Sequence, residues 1–593
     1  MSKPIKIDSV ALDLAQNALQ RLGYQDFIGS QQICIESLLQ GDDVLALLPT
    51  GAGKSAIYQV AALARPGVGL VVSPLIAIMQ QQVTQLQQLG IKAEFLNSTQ
   101  NGAEQNDLYW RLRHGDVEIL YMSPEKLLQT SVIGLLEDID VSCIAIDEAH
   151  CVLRWGSQFR PEYAQLGCLK DIFPHAPVIA LTGTLLPEKQ TQVSDALQLN
   201  APKVVRESVN RPNIRLQVSQ KRRAKQQLLS FLMKDGMAQP GIIYCRSRSK
   251  TEELTQWLNE QGILANCYHA NLSPSERDQA HQKFANGAVQ VLVATTAYGM
   301  GVDLEHVRFV VHMDLPLSVE NYAQEIGRAG RDGRPAQALL FYGLQDILQT
   351  WQFVRQEQLE DEFWRLMDCL EHTACRRTSL LAAFSEVSEK NCGNCDRCLQ
   401  QSKQHNVTVA AQKLLSLVYH TKGVVPFSSL INCLLGKPIK SVTNFALEQH
   451  PLFGQGKALD EAQWKAVVRL LLAKGYLLQQ SMSPFAVALA EKSRRVLRAE
   501  EQLIITSDWF YPALKDTDIS QYSQRGWHQL LHWSVANRVS EHLSDVQLHK
   551  VFEAKPSSLA SLSRITGLSK ELLTSLNAES LFQPLNLAKE SHD

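Results

Sequence analysis

The stretch that most constrains this chain is Leu48-Pro49-Thr50-Gly51-Ala52-Gly53-Lys54-Ser55, a glycine-rich turn between an apolar run and a helical pattern. Val44 to Leu48 reads as a buried parallel strand and Lys54 to Ala64 as a helix, so the turn falls at a helix start. In such a loop, running through Thr50, Gly51, Ala52 and Gly53, the two glycines let backbone N–H groups point inward around a β-phosphate. Lys54 then reaches the β/γ oxygens and the Ser55 hydroxyl ligates Mg²⁺. Leu48 stands where the general P-loop pattern has its first Gly, so an ordinary strand-turn-helix corner is the competing reading, and the partner motifs must decide.

Those partners follow. Gly69-Leu70-Val71-Val72, Ile119-Leu120-Tyr121-Met122 and Cys143-Ile144-Ala145-Ile146 are short apolar runs ending in polar residues, separated by helix-length segments such as Ile76 to Gly90. That alternation predicts a doubly wound parallel sheet with ligands at the carboxyl ends of its strands. Asp147 and Glu148 close one run: the first suits Mg²⁺, the second a general base that orients and deprotonates an attacking water. Val178 to Thr184 ends on Thr182-Gly183-Thr184, a hydroxyl-lined segment suited to coupling. Upstream, Tyr24 can stack on adenine and Gln31 can pair with its N6/N7 edge, although a helix-cap turn explains that stretch equally well.

At 593 residues the chain exceeds what one core supports, and three to five units are expected. With 45% hydrophobic and 20% charged residues it is globular, and no apolar run has the ~18–20 residues of a membrane span. Lys3, Lys6, Asp8 and Asp13 leave no apolar core for a secretory signal, so a cytoplasmic protein is expected. The formal net charge of −2 gives no global pull on nucleic acid; the local run Lys221-Arg222-Arg223 with Lys225 reads first as a solvated linker.

A second α/β unit opens near Asn210, with buried-type runs at Gly241 to Cys245, Val289 to Thr295 and Val307 to His312 and no second P-loop. In Gln324-Glu325-Ile326-Gly327-Arg328-Ala329-Gly330-Arg331, two arginines three apart are expected on one helical face, suited to a γ-phosphate across a cleft.

The Gln31 motif, Asp147-Glu148-Ala149-His150, Thr182-Gly183-Thr184, Tyr298-Gly299-Met300-Gly301 and the two-arginine motif, in this order, resemble a superfamily 2 helicase. His150-Cys151, Trp155-Gly156, Phe159-Arg160-Pro161-Glu162-Tyr163 and Cys375-Arg376-Arg377 narrow the resemblance to the RecQ family of DNA helicases, from about Gly23 to Leu399. The resemblance implies an α/β fold of two RecA-like parallel-sheet lobes, with ATP and Mg²⁺ bound between them. It implies ATP-driven translocation on single-stranded DNA and 3′ to 5′ unwinding in recombination and repair. It adds Asp303 and Gln324 to the nucleotide contacts. Trp155 is expected to stack on a DNA base, with Phe159 and Arg160 beside it, the bland alternative being that it covers the core of the first lobe. Single-stranded and duplex DNA are the expected partners, with a single-strand-binding protein as a candidate and no membrane; the chain is expected to act as a monomer. An ATP-gated DNA clamp and an RNA helicase are the rival functions. Ile28 replaces the family's usual Arg; Leu153, Ser157 and Gln158 replace a Ser and a His-Asp pair, and Gly183 an Ala.

Of the twelve cysteines, Cys375, Cys392, Cys395 and Cys398 form C-x16-C-x2-C-x2-C, a tetrahedral set for Zn²⁺ with an iron–sulfur cluster as the rival, and the resemblance favours zinc. Expected boundaries are lobe one 1–208, lobe two 209–343, a zinc-binding subdomain 344–402, a winged-helix-like domain 403–500, a linker 501–520 and a degenerate helical C-terminal domain 521–593. For 403–500 a generic helical accessory domain is the alternative.

Overall fold

The apolar runs become the inner strands of two parallel sheets. The computed structural model describes residues 9–49, 51–74, 76–97, 100–154, 161–234, 239–299, 304–388, 390–400, 402–479, 486–510, 551, 554 and 558–575. In the first lobe β1 (Val44–Leu47), β2 (Val68–Val72), β3 (Ala93–Leu96), β4 (Ile119–Met122), β5 (Val141–Ile146), β6 (Val178–Thr182) and β7 (Lys203–Arg206) lie in the order β3-β4-β2-β5-β6-β1-β7. In the second, β8 (Ile214–Gln220), β9 (Gly241–Tyr244), β10 (Ala265–Tyr268), β11 (Val291–Ala294), β12 (Phe309–His312) and β13 (Ala336–Tyr342) lie in the order β10-β11-β9-β12-β13-β8.

Continuous apolar runs are needed because each inner strand is buried on both faces. Leu45 and Leu47 enter one hydrophobic cluster while Val44, Ala46 and Leu48 enter another on the opposite side of the sheet. Of the five strands not expected, the inner strand β13 is an apolar run that the sequence reading omits, while β3, β7, β8 and β10 carry no such run. All four lie at sheet edges, where one flank lacks a neighbouring strand and residues such as Lys203, Arg206 and Asn266 are tolerated.

The order β5-β6-β1 places three functional strand ends side by side. Leu48 N–H donates to the Thr182 carbonyl at 3.0 Å and Ala149 N–H to the Leu181 carbonyl at 2.8 Å, which joins the P-loop, the acidic box and the Thr182 segment at one rim. Leu48 thus continues the strand, and a Leu serves where the general pattern has Gly.

The core of lobe two does not stop at its sheet. One contiguous cluster runs from Ile214 and Tyr244 through Phe363 and Cys395 to Trp464 and Phe510, so the zinc-bearing unit and the C-terminal unit pack as extensions of that lobe. The C-terminal unit has helices Thr408–His420, Phe427–Leu434 and Glu461–Ala473 and the antiparallel pair Leu477–Gln479 with Val487–Leu489, which is the winged-helix arrangement. Residues 480–485, between these two strands, lie outside the described residues. The first part of the expected 501–520 linker is built into this unit: Ile504–Thr506 pairs antiparallel with Gln404–Asn406, and Trp509 and Phe510 are buried. A strand of three residues, Ile504–Thr506, is too short to leave a periodic signal. Of the expected 521–593 domain, the helices Leu559–Thr566 and Lys570–Ser575 are described. Among the described residues no helix is long and apolar enough to cross a membrane.

Candidate nucleotide cleft and zinc centre

Gly51 and Gly53 have φ of +90° and +66°, values a side chain disfavours, and Gly53 is the N-cap of the helix Lys54–Ala64. A Cβ on Gly53 would also meet Gln31 Nε2 at 2.3 Å. The Lys54 ammonium donates to the Leu48 carbonyl at 3.2 Å, folded over the loop that it would leave to reach phosphate. Thr50 lies outside the described residues.

Beside the loop, Asp147 is fixed by its backbone: its N–H donates to Val72 at 2.9 Å, and its carbonyl accepts the buried Tyr163 hydroxyl at 3.1 Å. Glu148 follows with φ of +49°, a left-handed conformation that costs a non-glycine residue of the order of 1 kcal/mol and is kept where the surroundings impose it. Burial, and then the neighbouring Glu148 charge, push the Asp147 carboxyl up to about 7 against the opposing pull of Lys54. Glu148 is buried and its Oε2 makes no hydrogen bond, although His150 Nδ1 lies 3.3 Å away. His150 Nδ1 is also 2.9 Å from Thr182 Oγ1. A buried Glu148 carboxylate beside a half-buried Asp147 carboxylate fits a divalent cation held by Asp147 and Ser55.

Lobe two supplies the opposite wall. The helix Val319–Ile326 ends before the arginines, so Arg328 and Arg331 lie on the following turn and not, as expected, on one helical face. Gly327 and Gly330 break the helix. Gly330 has φ of +60°, and a Cβ there would lie 2.5 Å from Asn213 Nδ2. Arg211 staples this turn, donating to the carbonyls of Gly327 at 2.9 Å, Ala329 at 3.1 Å and Gly330 at 2.7 Å. Arg328 is 4% exposed, and its Nε and Nη1 have no hydrogen-bond partner. Lys54, Ser55, Asp147, Glu148, Gln324, Arg328 and Arg331 all line one cleft of about 710 Å³ between the lobes, with Tyr24, Ile28 and Gln31 at its rim. Asp303 lies outside the described residues, as do Trp155, Phe159 and Arg160.

The four cysteines converge, with all sulfurs within 4.8 Å of one another. Sγ separations of 3.9 Å for Cys392–Cys398, 4.0 Å for Cys395–Cys375 and 3.4 Å for Cys395–Cys398 match the roughly 3.8 Å edge of a tetrahedron with Zn–S bonds of about 2.3 Å. An iron–sulfur cluster interposes iron and sulfide between its ligands and would hold them further apart. Burial works against a Cys375 thiolate, but hydrogen bonds from Thr378 and the Cys392 N–H outweigh it and bring the thiol down to about 6.

Four family models cover the chain in sequence: DEAD/DEAH box helicase at 29–193, helicase conserved C-terminal domain at 223–333, RecQ zinc-binding at 344–399 and RQC domain at 401–511. The ATP-dependent DNA helicase RecQ of Pasteurella multocida is 41% identical over 510 residues, covering 84% of this chain and 80% of that protein. The chain belongs to the RecQ helicase family. The RecQ helicase of Haemophilus influenzae is 39% identical over 490 residues (81% and 79% covered), and that of Bacillus subtilis 30% over 499 residues (82% and 84%). Zinc is accordingly the metal of the four-cysteine centre in this RecQ-family chain.

In this RecQ-family cleft the base side is distinctive. Tyr24 and Ile28 are half exposed on the rim. Gln31 is buried and engaged: Oε1 accepts from Ile28 N–H at 3.0 Å, and Nε2 donates to Gly53 at 3.1 Å and Ala52 at 3.4 Å. Its amide therefore ties the rim to the P-loop backbone. Arg211 and Tyr163 are the supporting residues that sequence reasoning missed. Tyr163 enters only through the resemblance, and Arg211 lies more than a hundred residues from the carbonyls it holds.

Proposed function

We propose that this RecQ-family protein, an ATP-dependent DNA helicase, translocates on single-stranded DNA and separates duplexes in the 3′ to 5′ direction, in the service of recombination and repair. The observation that carries the reading is that P-loop, carboxylates and arginines from two lobes line one cleft. In it Lys54 steadies the β/γ-phosphates, Glu148 takes the proton of the attacking water, and Arg328 and Arg331 meet the charge that develops on the γ-phosphate. Asp147 and Ser55 would hold Mg²⁺, which when bound neutralises phosphate charge. Thr50, Gly51, Ala52 and Gly53 wrap the phosphates; Tyr24, Gln31, Asp303 and Gln324 complete the nucleotide contacts. Because the arginines belong to one lobe and the base to the other, hydrolysis and lobe closure are linked, and closure moves bound DNA. A monomer in the cytoplasm, aided by a single-strand-binding protein, completes the reading.

Trp155, Phe159 and Arg160 are assigned to DNA, base stacking being worth about 1–3 kcal/mol. Support comes from Tyr163, which follows them closely in sequence and bonds the Asp147 backbone, so that DNA held by these residues is linked to the carboxylates. ATPase turnover titrated with DNA and RNA oligomers tests the reading. DNA is expected to stimulate turnover strongly and RNA weakly, and Trp155→Ala to lower DNA-stimulated turnover far more than basal turnover. Equal stimulation by RNA would point to an RNA helicase; full stimulation in Trp155→Ala with a lowered melting temperature would make that residue part of the core.

A further inference from the structure

Away from the phosphates, the two walls of the cleft are joined by a buried charge cluster drawn from three units. Glu320 is the second residue of the helix Val319–Ile326, which leads into Arg328 and Arg331. It is 5% exposed, and its carboxylate accepts twice from lobe one: from the Leu186 backbone N–H at 3.3 Å and from the Lys189 ammonium at 3.3 Å. Leu186 follows Thr182-Gly183-Thr184, and Lys189 opens the helix Lys189–Ala196. Lys189 also pairs with Glu362 on the helix Glu360–Glu371 of the zinc-bearing unit. Neither Glu320 nor Lys189 lines the nucleotide cleft.

These contacts complete a path of protein atoms from one catalytic wall to the other. Glu148 lies 3.3 Å from His150, which lies 2.9 Å from Thr182 Oγ1; the chain then runs to Leu186, whose N–H meets Glu320, and the Glu320 helix delivers Arg328. The neighbouring pair Arg365–Glu188 is largely solvated at both ends and contributes little. The Lys189 cluster is different: its side chains are 6–15% exposed, so removing one partner leaves buried charge uncompensated.

We propose that Glu320, held by Leu186 and Lys189, is a positioning residue that fixes the arginine turn of lobe two against the carboxylates of lobe one. Lys189–Glu362 extends that hold to the zinc-bearing unit. This rests on the reading of Arg328 and Arg331 as γ-phosphate groups. A positioning role acts on the transition state and leaves nucleotide binding almost alone, which separates it from simple interface packing.

DNA-stimulated ATPase of the full chain across ATP concentrations, with melting curves, provides the test. Glu320→Ala should lower kcat about tenfold or more with KM for ATP within about threefold of the parent, and Glu320→Gln, which keeps an acceptor for Leu186, should fall between. Lys189→Met should lower kcat too, and its combination with Glu320→Gln should lose less than the product of the single effects. Should Glu320→Ala fail to fold, Glu320→Gln and Lys189→Met decide. Normal kcat in both, even with a lower melting temperature, overturns the inference, as does a raised KM with kcat intact. Arg331→Ala alongside separates the two levels. If it keeps turnover, the arginine reading itself fails; if it loses turnover while the other two variants stay within about twofold of the parent, the positioning inference alone fails.

Discussion

Glu148→Gln is expected to bind ATP as the parent does and to lose turnover by about 10²–10⁴-fold, the range a positioned general base contributes. The substitution preserves shape and removes the proton acceptor. The geometry makes this residue the base: its backbone is held at φ of +49°, its side chain is buried at the rim of the cleft, and Oε2 makes no hydrogen bond. With only His150 Nδ1 near it, at 3.3 Å, that oxygen can still accept from a water. Lys54→Ala is the contrast, since its ammonium reaches the phosphates in ground and transition states alike, and nucleotide binding should weaken as well. Nucleotide affinity and single-turnover hydrolysis, measured separately, check both; turnover of Glu148→Gln within about tenfold of the parent would remove it as the base.

Loss of the zinc centre should have the largest effect on stability. Structural zinc contributes roughly 10–16 kcal/mol of apparent binding energy in small domains. Here the metal loop is stitched to the edge of lobe two: Leu216 N–H donates to the Asn394 carbonyl at 3.3 Å, Val218 N–H to Asp396 Oδ2 at 3.2 Å, and Asn394 Nδ2 to the Pro212 carbonyl at 3.1 Å. Arg376 pairs with Asp396 at 3.0 Å in a buried setting. Cys395 is fully buried in the core that lobe two shares with the C-terminal unit. Cys395→Ser should therefore lower the melting temperature of lobe two along with its own region, and elemental analysis of the parent should find one zinc per chain. Iron, or no metal in fresh protein, would contradict the assignment.

Much of this was legible because the chemistry sits on local motifs. A P-loop is eight consecutive residues, Asp147 and Glu148 are adjacent, and three of the four cysteines lie within seven positions. Buried inner strands announce themselves as apolar runs; the edge strands β3, β7, β8 and β10 do not, because half of their environment is solvent or a later segment. The supports of the site were illegible for a related reason. Arg211 holds Gly330 and Glu320 holds Leu186 across more than a hundred residues of chain, and no spacing rule reaches that far. A helix expected to run through Arg328 and Arg331 follows from the helical stretch Val319–Ile326, whereas Gly327 and Gly330 set its end. Gln31 was read for its chemistry alone; its neighbours decide that it first ties Ile28 to the P-loop.

In the proposed cycle the cleft between the lobes powers strand separation. Single-turnover unwinding of a duplex bearing one single-stranded tail tests it most directly, with ATP and Mg²⁺ present and a trap for free protein. Strands should separate when the tail is 3′, and should stay paired when the tail is 5′ or when the protein is Glu148→Gln. ATP-dependent binding to the 3′-tailed substrate without strand separation would contradict the account and leave a nucleotide-gated clamp in its place.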